Sequence, residues 1–209
     1  MFNITRILMC VALSIVAAEF LGYVLHRLMH SGWIAWLSSS HMKHHLILYG
    51  PLQKQRPSDQ YMDATTGQAA IGNIGLEWII PSAVILAVAE TALRLLHISA
   101  LDQAVSIATV LAWSFLMFSY LHDRMHIKDF WMERVPVIKR WFVRARRLHD
   151  IHHHALNDGG LMDKNFGIGF FGFDRLFGTL NYDLAGLNYR GYAAAKKRFR
   201  NLYESTDVS

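Results

Sequence analysis

Residues 7–30 read ILMCVALSIVAAEFLGYVLHRLMH, an apolar run that ends in His26-Arg27-Leu28-Met29-His30. Over 7–25 only Ser14, Glu19 and Gly22 interrupt it, and its length is close to the ~20 residues that cross a hydrocarbon core. Two further stretches repeat the pattern. Residues 69–96 carry Glu77, Pro81 and Glu90, and residues 104–121 carry no charge. One such run suits a buried core helix of a soluble protein, but three within the first 121 residues predict a membrane bundle. Val16-Ala17-Ala18 resembles a signal-peptide cleavage site. Only Arg6 precedes it as a basic residue, however, and the helical pattern continues through Tyr23 to the first histidine pair, so the run reads as a span.

The whole chain agrees. Of its 209 residues 53% are apolar and 18% charged, whereas soluble domains carry roughly a quarter charged residues. The length predicts a single domain over 1–209, with no room for a fused redox domain. A lone cysteine, Cys10, excludes a disulfide framework, an iron–sulfur cluster and a thiolate zinc site. Of the 21 Lys and Arg, Arg6 and Arg94 flank one end of the spans. The remaining 19 (21 less 2) fall in 26–68 and 122–209. Basic residues stay on the cytoplasmic side, so these segments face the cytoplasm.

The predicted architecture is all-α. It is an integral membrane bundle of three to four transmembrane helices, with spans near 7–25, 69–96 and 104–121. A cytoplasmic histidine-rich helical cap, 26–50 and 122–180, covers it. Residues 51–68 form a polar connector. Residues 130–148 mix Trp131, Ile138 and Phe142 with six arginines and lysines, which predicts an interfacial helix kinked at Pro136. Apolar neighbours argue against a nucleic-acid surface there. The stretch from Lys196 reads as a frayed tail.

Eleven of the twelve histidines lie in four clusters, HRLMH (26–30), HMKHH (41–45), HDRMH (122–126) and HDIHHH (149–154). His97 stands alone. On a helix, positions i and i+3 or i+4 share a face, so each cluster aims at least two imidazoles at one point. The second histidine of each H-H pair points about 100° away, toward an adjacent metal. Glu19, Tyr23, His26 and His30 form one helical stripe, and Phe115, Ser119, His122 and His126 a matching one. Facing each other, they would enclose a substrate channel beneath a metal site.

Imidazole suits zinc, iron, copper and nickel. A structural zinc closes with four ligands, and ten motif histidines exceed that need, so two metals with open positions fit better. Thiolate-free ligation beside an apolar channel points to oxygen activation and attack on an unactivated C–H bond. A metal transporter or store would place ligands at mid-bilayer or on both faces. A membrane cytochrome uses one or two axial histidines per haem and would leave most of these unexplained.

The four clusters, with Asn165-Phe166-Gly167 and Phe173-Asp174-Arg175-Leu176-Phe177-Gly178-Thr179, resemble the membrane fatty acid hydroxylase/sterol desaturase superfamily of di-iron oxygenases. The likeness runs over about 7–180. Tyr120-Leu121-His122-Asp123 and Arg147-Leu148-His149 are also similar to bacterial β-carotene hydroxylases. The resemblance implies metal-ligand roles for His26, His30, His41, His44, His45, His122, His126, His149, His152 and His153. It also implies two iron ions (zinc in recombinant protein), O2 as co-substrate and no haem. A lipid substrate and a separate electron donor, a ferredoxin or small cytochrome with its reductase, complete the expectation. Three spans depart from relatives with four, and the third consecutive histidine, His154, has no assigned role. Asp123, Asp150 and Asn165 are candidates to orient the ligand imidazoles. Asn157 suits either that role or a turn. Glu19, an intramembrane acid, either lines the channel or pairs with a neighbouring helix. Basic residues 134–147 suit an acidic electron donor or anionic membrane lipid.

Overall fold

The computed structural model describes residues 4–51, 55–58, 60, 70–71 and 74–204, with the backbone alone at 70–71, 74–78 and 204. Most of the predicted connector therefore lies outside the described residues. Helix α1 (Ile4–Met29) and helix α4 (Ala100–Met125) have 26 residues each, roughly 39 Å at 1.5 Å per residue. That exceeds a ~30 Å hydrocarbon core, so each helix is long enough to cross one and still carry a histidine motif beyond it. Only 28% of α1's apolar window and 22% of α4's are buried within the protein. Outward-facing Leu8, Leu13, Val16, Leu111 and Phe115 suit lipid rather than water.

Among the described residues these two helices are long and apolar enough to span. The predicted span at 69–96 contains helix α3 (Leu76–Leu95). It is preceded by a ribbon of two antiparallel strands, β1 (Ala70–Ile71) and β2 (Ile74–Gly75). His97, at φ +55°, turns the chain from α3 into α4, where the Ser99 hydroxyl caps the helix by accepting from Asp102 N–H. Arg6 donates to Ser99 and to the Asp102 carboxylate, and Cys10 Sγ lies 3.1 Å from Ser106 Oγ. These contacts fasten α1 to α4 at the end remote from the histidines. Toward the histidines the two helices interlock. A Cβ on Gly22 would lie 1.9 Å from Phe118 Cζ, so only glycine lets the ring in.

Two stretches depart from α geometry. Residues Phe115–Leu121 within α4 are π-helical, as is His44–Leu48, which continues α2 (Ala35–Lys43). Such i→i+5 segments concentrate at functional sites. Helix α5 (Pro136–His154) begins at Pro136, correcting the expected kink. At the first helical position proline has the required φ and no amide is lost. Phe142 and Ala145 of α5 pack with Met117, Leu121, Met125 and Ile168.

The C-terminal stretch is not frayed over its described length. Helix α6 (Gly172–Leu176) is followed by α7 (Tyr189–Arg198) and α8 (Asn201–Glu204). Ala195, Phe199 and Leu202, at spacings of four and three, bury themselves on Met42, Leu46, Leu156 and Met162. The polar composition of this stretch concealed that stripe.

Candidate metal centre

Four helical segments converge at the histidine-bearing ends of α1 and α4. Two groups of imidazoles form there, His44, His122, His126, His149 and His153 in one, His26, His30, His45 and His152 in the other. Within each group the ligand atoms lie within 4.8 Å of one another. Helix α1 feeds only the second group and α4 only the first, while the π segment after α2 and helix α5 feed both. The division follows helical angle. The i, i+4 pairs 26/30, 122/126 and 149/153 stay together, whereas adjacent His44-His45 and His152-His153 split. His41 lies outside both groups by this measure, with its Nε2 3.2 Å from His45 Nε2. His154 is outside too, its Nδ1–H donating to Asp150 O at 2.7 Å.

The contacts between imidazoles test whether a cation belongs there. Nε2 of His126 is 3.0 Å from His44 Nε2 and 3.2 Å from His149 Nε2, and the latter is 3.2 Å from His153 Nε2. In the other group His152 Nε2 is 3.0 Å from His30 Nε2. A neutral ring nitrogen carries either one N–H or one lone pair, so an Nε2 wedged between two others is poorly served by protons alone. Two nitrogens bound at about 2.1 Å and at right angles around one metal sit about 3.0 Å apart, which is the observed spacing. The donor set fits metal ions.

Burial supports the same reading. His30, His45, His126, His149, His152 and His153 are all 0–1% exposed. Loss of solvation, reinforced by neighbouring imidazoles, holds the pKa values of His30, His45, His126, His149 and His153 well below the ordinary 6.5. Loss of solvation lowers His152 as well, and His44 is lowered to about 3. The imidazoles are neutral, as metal ligation requires.

Backbone carbonyls, rather than the expected carboxylates, orient the rings. His26 Nδ1–H donates to Phe166 O at 2.6 Å, His152 Nδ1–H to Lys164 O at 2.6 Å, and His153 Nδ1–H to Tyr49 O at 3.0 Å. Each bond fixes a tautomer whose Nε2 lone pair is free for the site. Asp123 Oδ1 stands 4.0 Å from His122 Nδ1, beyond hydrogen-bond reach. The Asp150 carboxyl, raised to about 6 by burial, has an Oδ1 with no hydrogen-bond partner among the described residues, and it is the Asp150 backbone carbonyl that holds His154. Being next to a histidine in sequence turns an α-helical side chain about 100° away from it, which is why neither carboxylate reaches across.

Asn165 does contribute, through the turn it holds. Fully buried at φ +55°, it donates to Leu148 O and Asn181 O and accepts from Asn181 N–H, at 2.9, 2.8 and 2.7 Å. Its neighbours Lys164 and Phe166 are the residues whose carbonyls face His152 and His26. Asp174 supports the same turn, accepting from Phe166 N–H and Gly167 N–H at 2.7 Å and from the Thr179 hydroxyl at 2.8 Å. Burial raises its pKa despite these bonds. Asn157 is a turn residue, accepting from Gly159 and Leu161 amides. Sequence reading missed the roles of Tyr49 and Asp174. For Asp174 the signal was present in the 173–179 motif, but for Tyr49, whose ring lies 3.9 Å from that of His126, there was none.

Of the four residues expected to line a channel, two line an apolar cleft. Beneath the histidines an apolar cleft of about 280 Å3 lies between α1, α3 and α4, and Phe115 and Ser119 line it. Glu19 and Tyr23 do not. Glu19 accepts from Trp113 Nε1–H at 2.7 Å, the helix-pairing alternative, and the Tyr23 hydroxyl meets Thr179 Oγ1 at 3.2 Å. The cleft uses the neighbouring stripe of α1, Ala18, Leu21, Gly22 and Leu25. The predicted stripe carries the histidines instead. In the basic segment Arg146 is buried, bonding Glu133 at 2.6 Å and Ile127 O at 2.9 Å, and is closed to any partner; Arg134, Lys139, Arg140, Arg144 and Arg147 remain exposed.

No curated protein and no solved structure matches the chain significantly. A family profile described as fatty acid hydroxylase matches residues 11–179, a stretch that takes in α4, α1 from Val11 onward and both imidazole groups. The chain belongs to the fatty acid hydroxylase family.

Proposed function

We propose that this protein is a membrane-bound non-haem di-iron oxygenase that hydroxylates or desaturates an unactivated C–H bond of a lipid such as a fatty acyl chain or sterol. The observation that carries the reading is the sorting of nine imidazoles, eight of them buried and His44 half-buried, into two adjoining groups near an apolar cleft whose lining reaches Leu25 and Ser119. Two bound iron ions would supply O2 activation and the oxidation of the C–H bond. The chain's own part is positional. His26, His30, His45 and His152, with His41 beside them, hold one ion, and His44, His122, His126, His149 and His153 the other. The carbonyls of Phe166, Lys164 and Tyr49 keep the protons on Nδ1 of His26, His152 and His153. The cleft excludes water and holds the lipid against the centre. Exposed Arg134, Lys139, Arg140, Arg144 and Arg147 suit an acidic electron donor, a ferredoxin or a small cytochrome, and the basic asymmetry supports a cytoplasmic face for the site.

Metal analysis after iron-supplemented growth tests this reading. The expected result is about two iron ions per chain, with His45→Ala losing metal. Fewer than about one metal per chain, unchanged by His45→Ala, overturns it. Lipid extracts of an expressing host with an active donor should gain one oxygen on one lipid class.

A further inference from the structure

The walls of the cleft are almost wholly apolar, formed by Gly22 and Leu25 of α1, Ile79 and Leu86 of α3, and Phe115 and Phe118 of α4. Its 280 Å3 far exceeds the ~30 Å3 share of one water, so it accommodates a chain. Three serines line it, Ser82, Ser114 and Ser119, and Ser119 alone of them is buried, at 7% exposure. Among the described residues the Ser119 Oγ has no hydrogen-bond partner.

That is unusual chemistry for a helical serine. A hydroxyl within a helix ordinarily bonds the carbonyl four residues back, as Thr91 does here to Ala87 O at 2.8 Å. Ser119 sits inside the π stretch Phe115–Leu121, and its hydroxyl makes no such bond. A buried polar group left unpaired is costly and calls for a reason. Its place supplies one. Ser119 lines the cleft and precedes His122 by three residues, roughly 4.5 Å along the axis, so its buried hydroxyl sits in the cleft wall on the histidine-bearing side.

We propose that Ser119 is a substrate-binding residue that hydrogen-bonds an oxygen function of the lipid, so that the cleft selects apolar molecules bearing a hydroxyl or carbonyl over plain hydrocarbons. Given the oxygenase reading, on which this rests for its purpose, the oxidised carbon then lies close to that oxygen and not far along the chain. Purely hydrocarbon substrates, unoxygenated carotenes among them, are disfavoured.

The test is photo-crosslinking of the full-length protein in lipid nanodiscs. Diazirine-bearing twelve-carbon probes, an alcohol, a ketone and the matching hydrocarbon, are supplied at equal mole fraction, and labelling of residues 110–121 is quantified by peptide mass spectrometry. In the unmodified protein the alcohol or the ketone should label about tenfold more than the hydrocarbon, and the stronger of the two identifies the oxygen function. Ser119→Ala should bring the ratio to about one without lowering hydrocarbon labelling, and Ser119→Thr should restore it. Equal labelling by all three probes, or a preference that survives Ser119→Ala, overturns the proposal. A fall in labelling by all probes alike in Ser119→Ala, marking a structural role, also overturns it. Labelling needs no turnover, so a chain that shows the preference but fails the iron measurement keeps this inference and loses the oxygenase reading.

Discussion

The two imidazole groups are built from similar residues but held differently. In the His26, His30, His45 and His152 group, two rings are locked by carbonyls from either side of Asn165. That turn is fixed in its own right by three side-chain bonds of Asn165 and three of Asp174. In the other group the His153 ring is locked, by Tyr49 O, and the Tyr49 ring lies on His126. One site borrows its rigidity from a turn far along the chain, the other from the residue just beyond a π segment. A pair of metal sites need not be equally rigid, and the difference can be measured site by site.

Acidification is the bluntest way to remove the difference, because it strikes both groups. Folded-state pKa values below 6.5 mean that the unfolded chain binds protons the native one refuses. Stability of the metal-free protein is then complete above pH ~6.5 and falls below it, by up to about 1.4 kcal/mol per pH unit for each titrating histidine. Thermal unfolding of chelator-treated protein should be flat from pH 7 to 9 and drop steeply toward pH 5 (about one histidine pKa and below). Next in size, His152→Ala and His149→Ala should each abolish lipid oxidation, by more than about 100-fold, while each removes metal from its own group only. Spectroscopic cobalt titration should show one surviving site, and not the same one, in each variant.

Asn165→Gly sharpens the contrast. Glycine keeps the positive φ but deletes the three bonds, so affinity at the His26 group should fall about 10–100-fold with the other group unchanged. Metal titration that turns from uniform to biphasic is the expected outcome; equal weakening of both sites would refute the asymmetry. The smallest effect belongs to Tyr49→Phe, which leaves the carbonyl and the ring in place. Unfolding should shift by at most about 1 kcal/mol and metal content should not change.

How far the sequence reached follows from the distance over which each feature is encoded. The i, i+4 histidine pairs and the splitting of His44 from His45 and His152 from His153 are local geometry and were legible, whereas His41/His44 and His149/His152, three apart and expected to share a face, do not share a group. Helices α1 and α4 were legible from apolar length alone. The carbonyls that orient His26 and His152 were not, because they lie 140 and 12 residues away in a turn whose placement depends on the assembled bundle. The acids adjacent to histidines attracted the assignment that belonged to backbone. The π stretches were also hidden, since an apolar run such as Phe115–Leu121 reads alike at either pitch. Pro136 misled for a simpler reason. It marks a helix start when the residues before it are not helical, as Val135 is not, and a kink only when they are.

The outward exposure of Leu111 and Phe115 on α4 and Val84 on α3, all beside the cleft, has a practical consequence for any affinity measured on this protein. Under the proposed membrane setting, a ligand would reach such a cleft sideways, having first dissolved in the bilayer. Its effective concentration is a mole fraction among lipids, not a molarity in buffer. Adding empty nanodiscs or detergent at fixed total ligand dilutes it, and weakens apparent binding without touching a single contact.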